Sequence, residues 1–319
     1  MGGPLDVAAV AERWTALRDA IGGVVVGQAE PVRLSFATLL CGGHSLIEGV
    51  PGVAKTLLVQ TLAAAVSVRF GRVQFTPDLM PSDIIGTSVL DTQAAGETRF
   101  RPGPLFTDLL LADEINRASA KTQAALLEAM QERAATVLGT RHALGPHFAV
   151  FATQNPVEHE GTYPLPEAEL DRFLFKIVMG YPDEQEDCTI LALHHAGERT
   201  PASVTHVLSA EELEACRTVV RAVIVREDVL AYVAALVRAT RADVQFALGA
   251  SPRAGVLLVR AAKAQAVLEG RDFVLPEDVQ TMLLPTLRHR VQLDPAAEVE
   301  GLTADRALER TLHAVVVPR

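Results

Sequence analysis

An α/β fold with a mainly parallel sheet, followed by a helical second domain, is what this 319-residue chain predicts. Three observations carry the expectation. Short apolar runs alternate with amphipathic segments from about residue 29 to residue 180, as strands and helices laid down in turn would. Two of those runs, "LLLA" and "AVFA", are apolar throughout, as expected of strands buried on both faces. After "YPDEQED" strand-like runs nearly vanish and four or five helical stretches follow. At this length two domains are expected, here 1–181 and 182–319, with the boundary near Tyr181–Asp183.

The elements follow in order. Leu5, Val10, Trp14, Leu17 and Ile21 recur at helical spacing, and a second helix is expected from Ala29 to Leu40. "HSLIEGV" reads as a short buried strand, and "KTLLVQTLAAAVSV" as the helix after it. "GRVQFTP" is the next strand. "DTQAAGETRFRPGPLF" is rich in Gly, Pro and Thr and reads as a hairpin-like insertion. "LLLADE" is a buried strand ending in two acids. "SAKTQAALLEAMQER" is an amphipathic helix with Ser119 at its N-cap. A hairpin turning at Gly139 leads into the buried strand of "AVFATQNP", and "FLFKIVMGY" closes the set. In the second domain, "SPRAGVLLVRAAKAQAVLEG" opens on Ser then Pro and ends at Gly270, the punctuation of a helix.

Composition excludes several classes. Apolar residues make up 49% and charged residues 21%, the balance of a folded globular chain. The net charge of −10 is spread evenly, with 14 basic against 19 acidic residues up to Gly180 and 15 against 20 beyond. No domain is basic enough to track a nucleic-acid backbone. Cys41, Cys188 and Cys216 are far apart and show neither disulfide nor zinc spacing. The histidines show no paired metal-ligand spacing either. The N-terminus lacks a basic start and apolar core, and no apolar run reaches the length of a membrane span, so the expected location is cytoplasmic.

The chemistry begins at "EGVPGVAKT", Glu48–Thr56. It matches a phosphate loop, G-x-x-x-x-G-K-[ST], except that Ala54 stands where the second glycine belongs. In such a loop backbone N–H groups and a helix N-terminus hold phosphate, the lysine reaches the β- and γ-phosphates, and the hydroxyl binds Mg²⁺. Gly49, Gly52, Lys55 and Thr56 suit these roles. Ala54 is expected at negative φ, with Pro51 and Gly52 making the bend. The alternative is a plain small-residue turn. Asp113 and Glu114 end an apolar strand, so they face the same crevice at the carboxyl ends of the strands. Asp113 is placed to hold Mg²⁺ and Glu114 to polarise the attacking water; alone, the pair would equally cap the next helix. Asn155 either orients that water or marks an Asn-Pro turn. Arg172 is either a finger onto a neighbouring subunit's γ-phosphate or a surface partner of Asp171 or Glu169. Arg253 sits in the first turn of a helix, where the dipole disfavours a cation unless an anion such as phosphate offsets it. Phe100 and Phe106 either grip substrate in a ring pore or, as expected here, pack the insertion against the core.

The motifs "EGVPGVAKT", "QFTPDLMPSDIIG", "RPGPLF", "LLADEINRA", "ATQNP", "PLPEAELDRFLF" and "GASPRA" occur in this order between Val24 and Arg290. As a set the chain closely resembles the MoxR-type AAA+ ATPases, which tolerate alanine where Ala54 stands. The resemblance implies an AAA+ core with strand order 5-1-4-3-2, a C-terminal helical lid, a helix-2 insertion at about 87–105 and a hairpin at about 133–147. It implies ATP and Mg²⁺ as ligands. Gly49, Val50, Pro51, Gly52, Val53, Ala54, Lys55, Thr56 and Leu57 fall on Walker A, and Asp113 and Glu114 on Walker B. Asn155 matches sensor 1, Arg172 the arginine finger and Arg253 sensor 2. Arg117 matches a family arginine that either contacts the neighbouring subunit or pairs with Glu114. The implied assembly is a ring, usually hexameric, working with a von Willebrand factor A domain protein to mature, remodel or assist metal insertion into protein clients. Two other classes share such a core. One is a nucleic-acid or transcription motor, which the even acidity opposes. The other is a nucleotide-gated binding module with little turnover, which the Asp113–Glu114 pair opposes.

Overall fold

Strands and helices alternate as the patterning predicts. The computed structural model describes residues 5–90, 98–156, 162–195, 197 and 200–318. The chain begins with α1 (Val7–Gly22) and α2 (Ala29–Leu40), then β1 (Ser45–Gly49), α3 (Lys55–Ala65), β2 (Phe70–Gln74) and the short α4 (Pro81–Ile85). The hairpin β3 (Gly86–Leu90) and β4 (Thr98–Pro102) follows, then β5 (Leu109–Asp113) and α5 (Ala120–Glu132). A second hairpin, β6 (Ala134–Val137) and β7 (Thr140–Ala143), precedes β8 (Ala149–Gln154), α6 (Glu167–Leu170) and β9 (Phe175–Met179). Beyond these come α7 (Glu184–His195), α8 (Ala210–Ala222), α9 (Glu227–Ala242), β10 (Phe246–Leu248), α10 (Pro252–Leu268), α11 (Pro276–Leu287), β11 (Gln292–Leu293), α12 (Pro295–Val299) and α13 (Ala304–Ala314).

Five strands form one sheet in the order β2-β5-β8-β1-β9, with every neighbour parallel. Counting only these strands and reading from the other edge, the order is the expected 5-1-4-3-2. Successive side chains of a strand point to opposite faces, and here both faces are dry. Leu109 and Leu111 join Ile47, Phe151 and Phe175 on one side, packed with α1, α2 and α3. Leu110 and Ala112 join Leu46, Val73 and Val150 on the other, against Leu126, Leu127 and Met130 of α5. That two-sided burial is why "LLLA" and "AVFA" carry no polar alternation.

α1 shows the same economy. Val10, Trp14, Leu17 and Ile21 are buried at helical spacing, and Trp14 stacks on Phe36 of α2 with ring centroids 5.8 Å apart. Asp6 caps the helix by accepting from the Ala9 amide at 2.8 Å. The two hairpins meet through rings: Phe100 of β4 stacks on His142 of β7 at 3.7 Å and meets Phe106 edge-on at 5.3 Å. These contacts show Phe100 and Phe106 packed together and against the second hairpin. The expected insertion runs through β3 and β4, but its residues 91–97 lie outside the described residues.

The lid departs from expectation in two details. Its described residues hold seven α-helices, more than the four or five read from the pattern, because α7, α12 and α13 are too short or too polar to stand out. It is also not wholly helical, since β10 and β11 form a small antiparallel ladder. Ser119 is the residue before α5, but its hydroxyl meets Thr122 Oγ1 at 3.2 Å and caps no backbone amide. No described helix is long and apolar enough to cross a membrane.

Two buried histidines stabilise the neutral-pH fold. His44 accepts from the Val150 amide at 2.9 Å through Nδ1 and meets Met130 O through Nε2. Burial, aided by the charge of Arg133, pushes its pKa down to about 3. Burial beside Arg290 likewise lowers that of His289. In the unfolded chain both would titrate near the usual ~6.5. Below that pH the unfolded state therefore takes up protons that the folded state refuses. The stability these groups confer should be complete above about pH 7. It should fall by roughly 1.4 kcal/mol for each histidine between pH 7.5 and 5.5. Urea unfolding at the two pH values measures this, and equal stabilities would contradict it.

Candidate nucleotide site

β1, an interior strand between β8 and β9, ends at Gly49, and the chain turns directly into α3. Gly52, at φ +88°, makes the bend, a conformation that glycine adopts without penalty. Ala54 does not sit at negative φ as expected. Its φ is +64° and ψ +25°, left-handed, immediately before the first residue of α3. The position makes the same demand in backbone angle as the glycine it replaces. Alanine meets it at a cost of about 1–2 kcal/mol. Its carbonyl still accepts the first helical bond, from the Leu58 amide at 2.9 Å.

Lys55 opens α3 with its ammonium turned back toward the sheet. Nζ donates to Gly49 O at 2.5 Å and to Gln154 O at 3.4 Å, so it spans the ends of β1 and β8. Thr56 follows in the first helical turn. Gln154 is the last residue of β8, and Asn155, only 6% exposed, comes next. Asp113 is the last residue of β5, the strand on the other side of β8, and is 7% exposed. Lys55, Asp113, Glu114 and Asn155 therefore lie at the carboxyl ends of three adjacent strands.

Residues that sequence reasoning passed over hold this group together. Thr153 of β8 donates to Asp113 Oδ1 at 2.6 Å and accepts from the Glu114 amide at 2.8 Å. Arg72 of β2 grips Asp113 Oδ2 from Nε at 3.1 Å and Nη2 at 2.6 Å. Gln74 donates to Glu114 Oε2 at 2.8 Å, and Arg117 pairs with the same oxygen at 3.2 Å. Arg117 thus pairs with Glu114 within the chain. Glu114 itself is left-handed, φ +55°, held there by Thr153 and by the 3₁₀ turn Ile115–Arg117. Such a backbone costs about 1–3 kcal/mol and persists only where its surroundings over-determine it. One signal was available beforehand: a threonine inside a fully buried run must find a partner. Arg72 and Gln74 gave none, since their partners depend on β2 lying beside β5.

The donor set suits a nucleotide with its divalent ion. Thr56 and Asp113 supply a hydroxyl and a carboxylate, hard oxygens of the kind Mg²⁺ prefers. Asp113 holds the Arg72 guanidinium through Oδ2. Among the described residues no cluster of three or more His, Cys, Asp or Glu is set for a metal held by protein alone. An ion here would therefore share its oxygens with phosphate.

Arg172 and Arg253 stand elsewhere. Arg172 lies just before β9, whose first residue, Phe175, pairs with Ser45, the first of β1. That is the starting end of the strands. The loop after Gly49 lies at the finishing end, about 13 Å away at ~3.3 Å per residue. Arg253, in the first turn of α10, shares a cavity of about 190 Å³ with Arg172, Arg133 and Arg260 beside Gly43 and His44. The anion that offsets its unfavourable helix position is Asp171, at 3.5 Å. Asp171 also takes Arg290 at 2.7 Å, so the residue next to Arg172 is tied to the lid twice. Arg172 itself makes neither of its expected pairings with Asp171 or Glu169 among the described ion pairs.

Comparison with known proteins agrees with this geometry. A profile of the ATPase family associated with various cellular activities (AAA) matches residues 44–175, and an AAA lid domain profile matches residues 238–311. The chain is 45% identical to the uncharacterized protein YeaC of Bacillus subtilis, over 93% of this chain and 92% of that one. It is 43% identical to Chaperone MoxR1 of Mycobacterium tuberculosis, over 93% of this chain and 80% of that one. The crystal structure of a Cytophaga hutchinsonii protein superposes with a TM-score of 0.90 at 39% identity, covering 98% of this chain and 97% of that one.

The left-handed loop position yields a direct test. Ala54→Val places a branched Cβ at positive φ and should destabilise the fold by about 1–3 kcal/mol. Ala54→Gly should leave stability unchanged or raise it by up to about 1 kcal/mol. Denaturant unfolding of both variants measures the difference, and a neutral valine would contradict the backbone assignment.

Proposed function

The chain belongs to the MoxR group of AAA ATPases, and from that premise we propose that it hydrolyses ATP at a seam between two copies of itself to remodel partner proteins. One observation carries the reading. The phosphate cradle and the paired acids share one end of the sheet, while the arginine finger candidate stands at the other. That separation, about 13 Å along the strands, favours a triphosphate held by one copy and met by Arg172, with Arg253 beside it, of an adjacent copy. A closed ring of six would satisfy every site in this way. A partner carrying a von Willebrand factor A domain, and a protein client to mature, remodel or load with metal, remain the assembly that the family resemblance implies.

The roles in this reading are those that the motif match implies. Backbone amides between Gly49 and Thr56 and the N-terminus of α3 hold the phosphates. Lys55 exchanges its carbonyl partners, Gly49 O and Gln154 O, for phosphate oxygens. Thr56 and Asp113 would hold Mg²⁺, which neutralises phosphate charge when bound. Glu114 takes the proton from the attacking water, and Asn155 orients that water. In the arrangement seen here Gln74 and Arg117 both engage Oε2 of Glu114, a contact to be given up if that oxygen is the one that takes the proton. Arg172 stabilises the charge developing on the transferred phosphoryl group.

Glu114→Gln should keep ATP binding while turnover falls by about 10²–10⁴. The same variant in ATP should retain partner protein that the parent chain releases. Binding calorimetry and phosphate release report the first effect, and parent-level turnover would remove Glu114 from its role. Arg172→Ala should lose about 10³-fold or more in turnover with ATP affinity intact. Mixing it with Lys55→Ala should restore part of the activity, because mixed seams pair an intact cradle with an intact finger. No recovery in mixtures shown to assemble would refute a shared site.

A further inference from the structure

A second, larger cavity adjoins the one that holds Arg172 and Arg253. Its volume is about 570 Å³, and it lies where the C-terminal end of α2 meets lid helices α8 and α10. Arg133, Arg217, Arg221, Arg260 and Lys263 line it, against the single carboxylate of Glu214. Three of the guanidinium groups converge on one point. A Cβ built on Gly42 would meet Arg260 Nη2 at 3.6 Å, Arg133 Nη2 at 3.7 Å and Arg217 Cζ at 3.8 Å.

The protein supplies only part of the compensation. The end of α2 and the turn after it offer carbonyls: Leu39 O accepts from Arg217 at 2.8 Å, Cys41 O from Arg260 and Gly42 O from Arg133 at 2.6 Å, while Pro146 O accepts from Arg217 at 3.1 Å. The partial negative charge of a helix C-terminus is about half a unit. Glu214 is divided between Arg221 at 2.7 Å and Arg217 at 3.3 Å. Arg217 is 4% exposed, yet its Nη2 has no acceptor among the described residues. Burial lowers the pKa of Arg217 and of Arg133, and Arg260 lowers that of Arg133 further, as expected of cations crowded without enough counter-charge.

We propose that this cavity binds a multiply charged phosphate anion that cross-links the lid to the core. Planar guanidinium forks match phosphate oxygens in pairs. The cations come from both bodies, Arg133 from the end of α5 and the others from α8 and α10, so an anion held among them would brace the joint. It is distinct from the cradle at the far end of the sheet. The phosphate has two sources: free in solution, or carried by a nucleotide on a neighbouring copy.

Calorimetric titration into the full chain carrying Lys55→Ala, which weakens the cradle, tests the proposal with pyrophosphate and ADP as probes. Saturable binding is expected, with a raised unfolding temperature and an affinity that falls as salt rises. The double variant Arg221→Gln/Lys263→Gln, in the outer wall of the cavity, should weaken it at least tenfold. Arg217→Gln should abolish it, with circular dichroism reporting that the variant is folded. Heat from pyrophosphate in dilute protein identifies the free anion. Heat from ADP alone, in assembled protein, identifies a neighbour's nucleotide. Absence of binding to the Lys55→Ala chain would overturn the proposal. So would binding that survives the double variant, or binding lost with Arg172→Ala and retained in the cavity variants.

Discussion

Parallel pairing of β1, β5 and β8 governs the rest of the molecule. Strands that all run one way collect their finishing ends on one rim and their starting ends on the other. The loop after β1, the acids after β5 and the asparagine after β8 are thereby gathered without any long-range search. The same geometry places the residues before β9 on the far rim. Two-sided burial keeps these strands inside the molecule, and Leu109 to Ala112 leave no polar side chain on either face. A parallel sheet of this kind places the loop after β1 and the residues before β9 on opposite rims of one copy.

The nucleotide rim is already populated by its own charges. Asp113 is nearly buried, and a carboxylate there needs a partner. Arg72 and Thr153 provide it, while Gln74 and Arg117 engage Glu114 and two main-chain carbonyls engage Lys55. Lys55, Asp113 and Glu114 are each held in place by contacts inside the chain. Rearrangement on binding is then an exchange of partners and not the burial of bare charge, which keeps its energetic demand small.

Much of this was legible in the sequence where the cause is local. The bounds of α2, the turn from β1 into α3, the two-sided strands and the Ser251–Pro252 start of α10 follow from periodicity and capping. Ala54 departs from the steric preference for negative φ because the demand of the loop outweighs it. Ser119 failed as a side-chain cap because Thr122 lies within its reach. Arg72, Gln74 and Thr153 could not be assigned, since their partners become neighbours only through sheet order. Arg253 sits on the helix that its punctuation predicts. Its nearness to Arg172, and its distance from the cradle, depend on how the lid packs on the core, which spacing along the chain does not encode.

Asp171 sits one peptide bond before Arg172 and is moored to the lid by Arg253 and Arg290. The guanidinium of Arg290 is buried and also bonds to the carbonyls of Asp171, Phe173 and Leu174, so this mooring is stiff. A swivel of the lid by even a few degrees would be transmitted, like tension along a tie-rod, to the peptide that carries Arg172. The posture of one copy's second domain would in this way set the reach of its cation toward the copy next door, and strain would pass around a closed circle without any large loop having to travel.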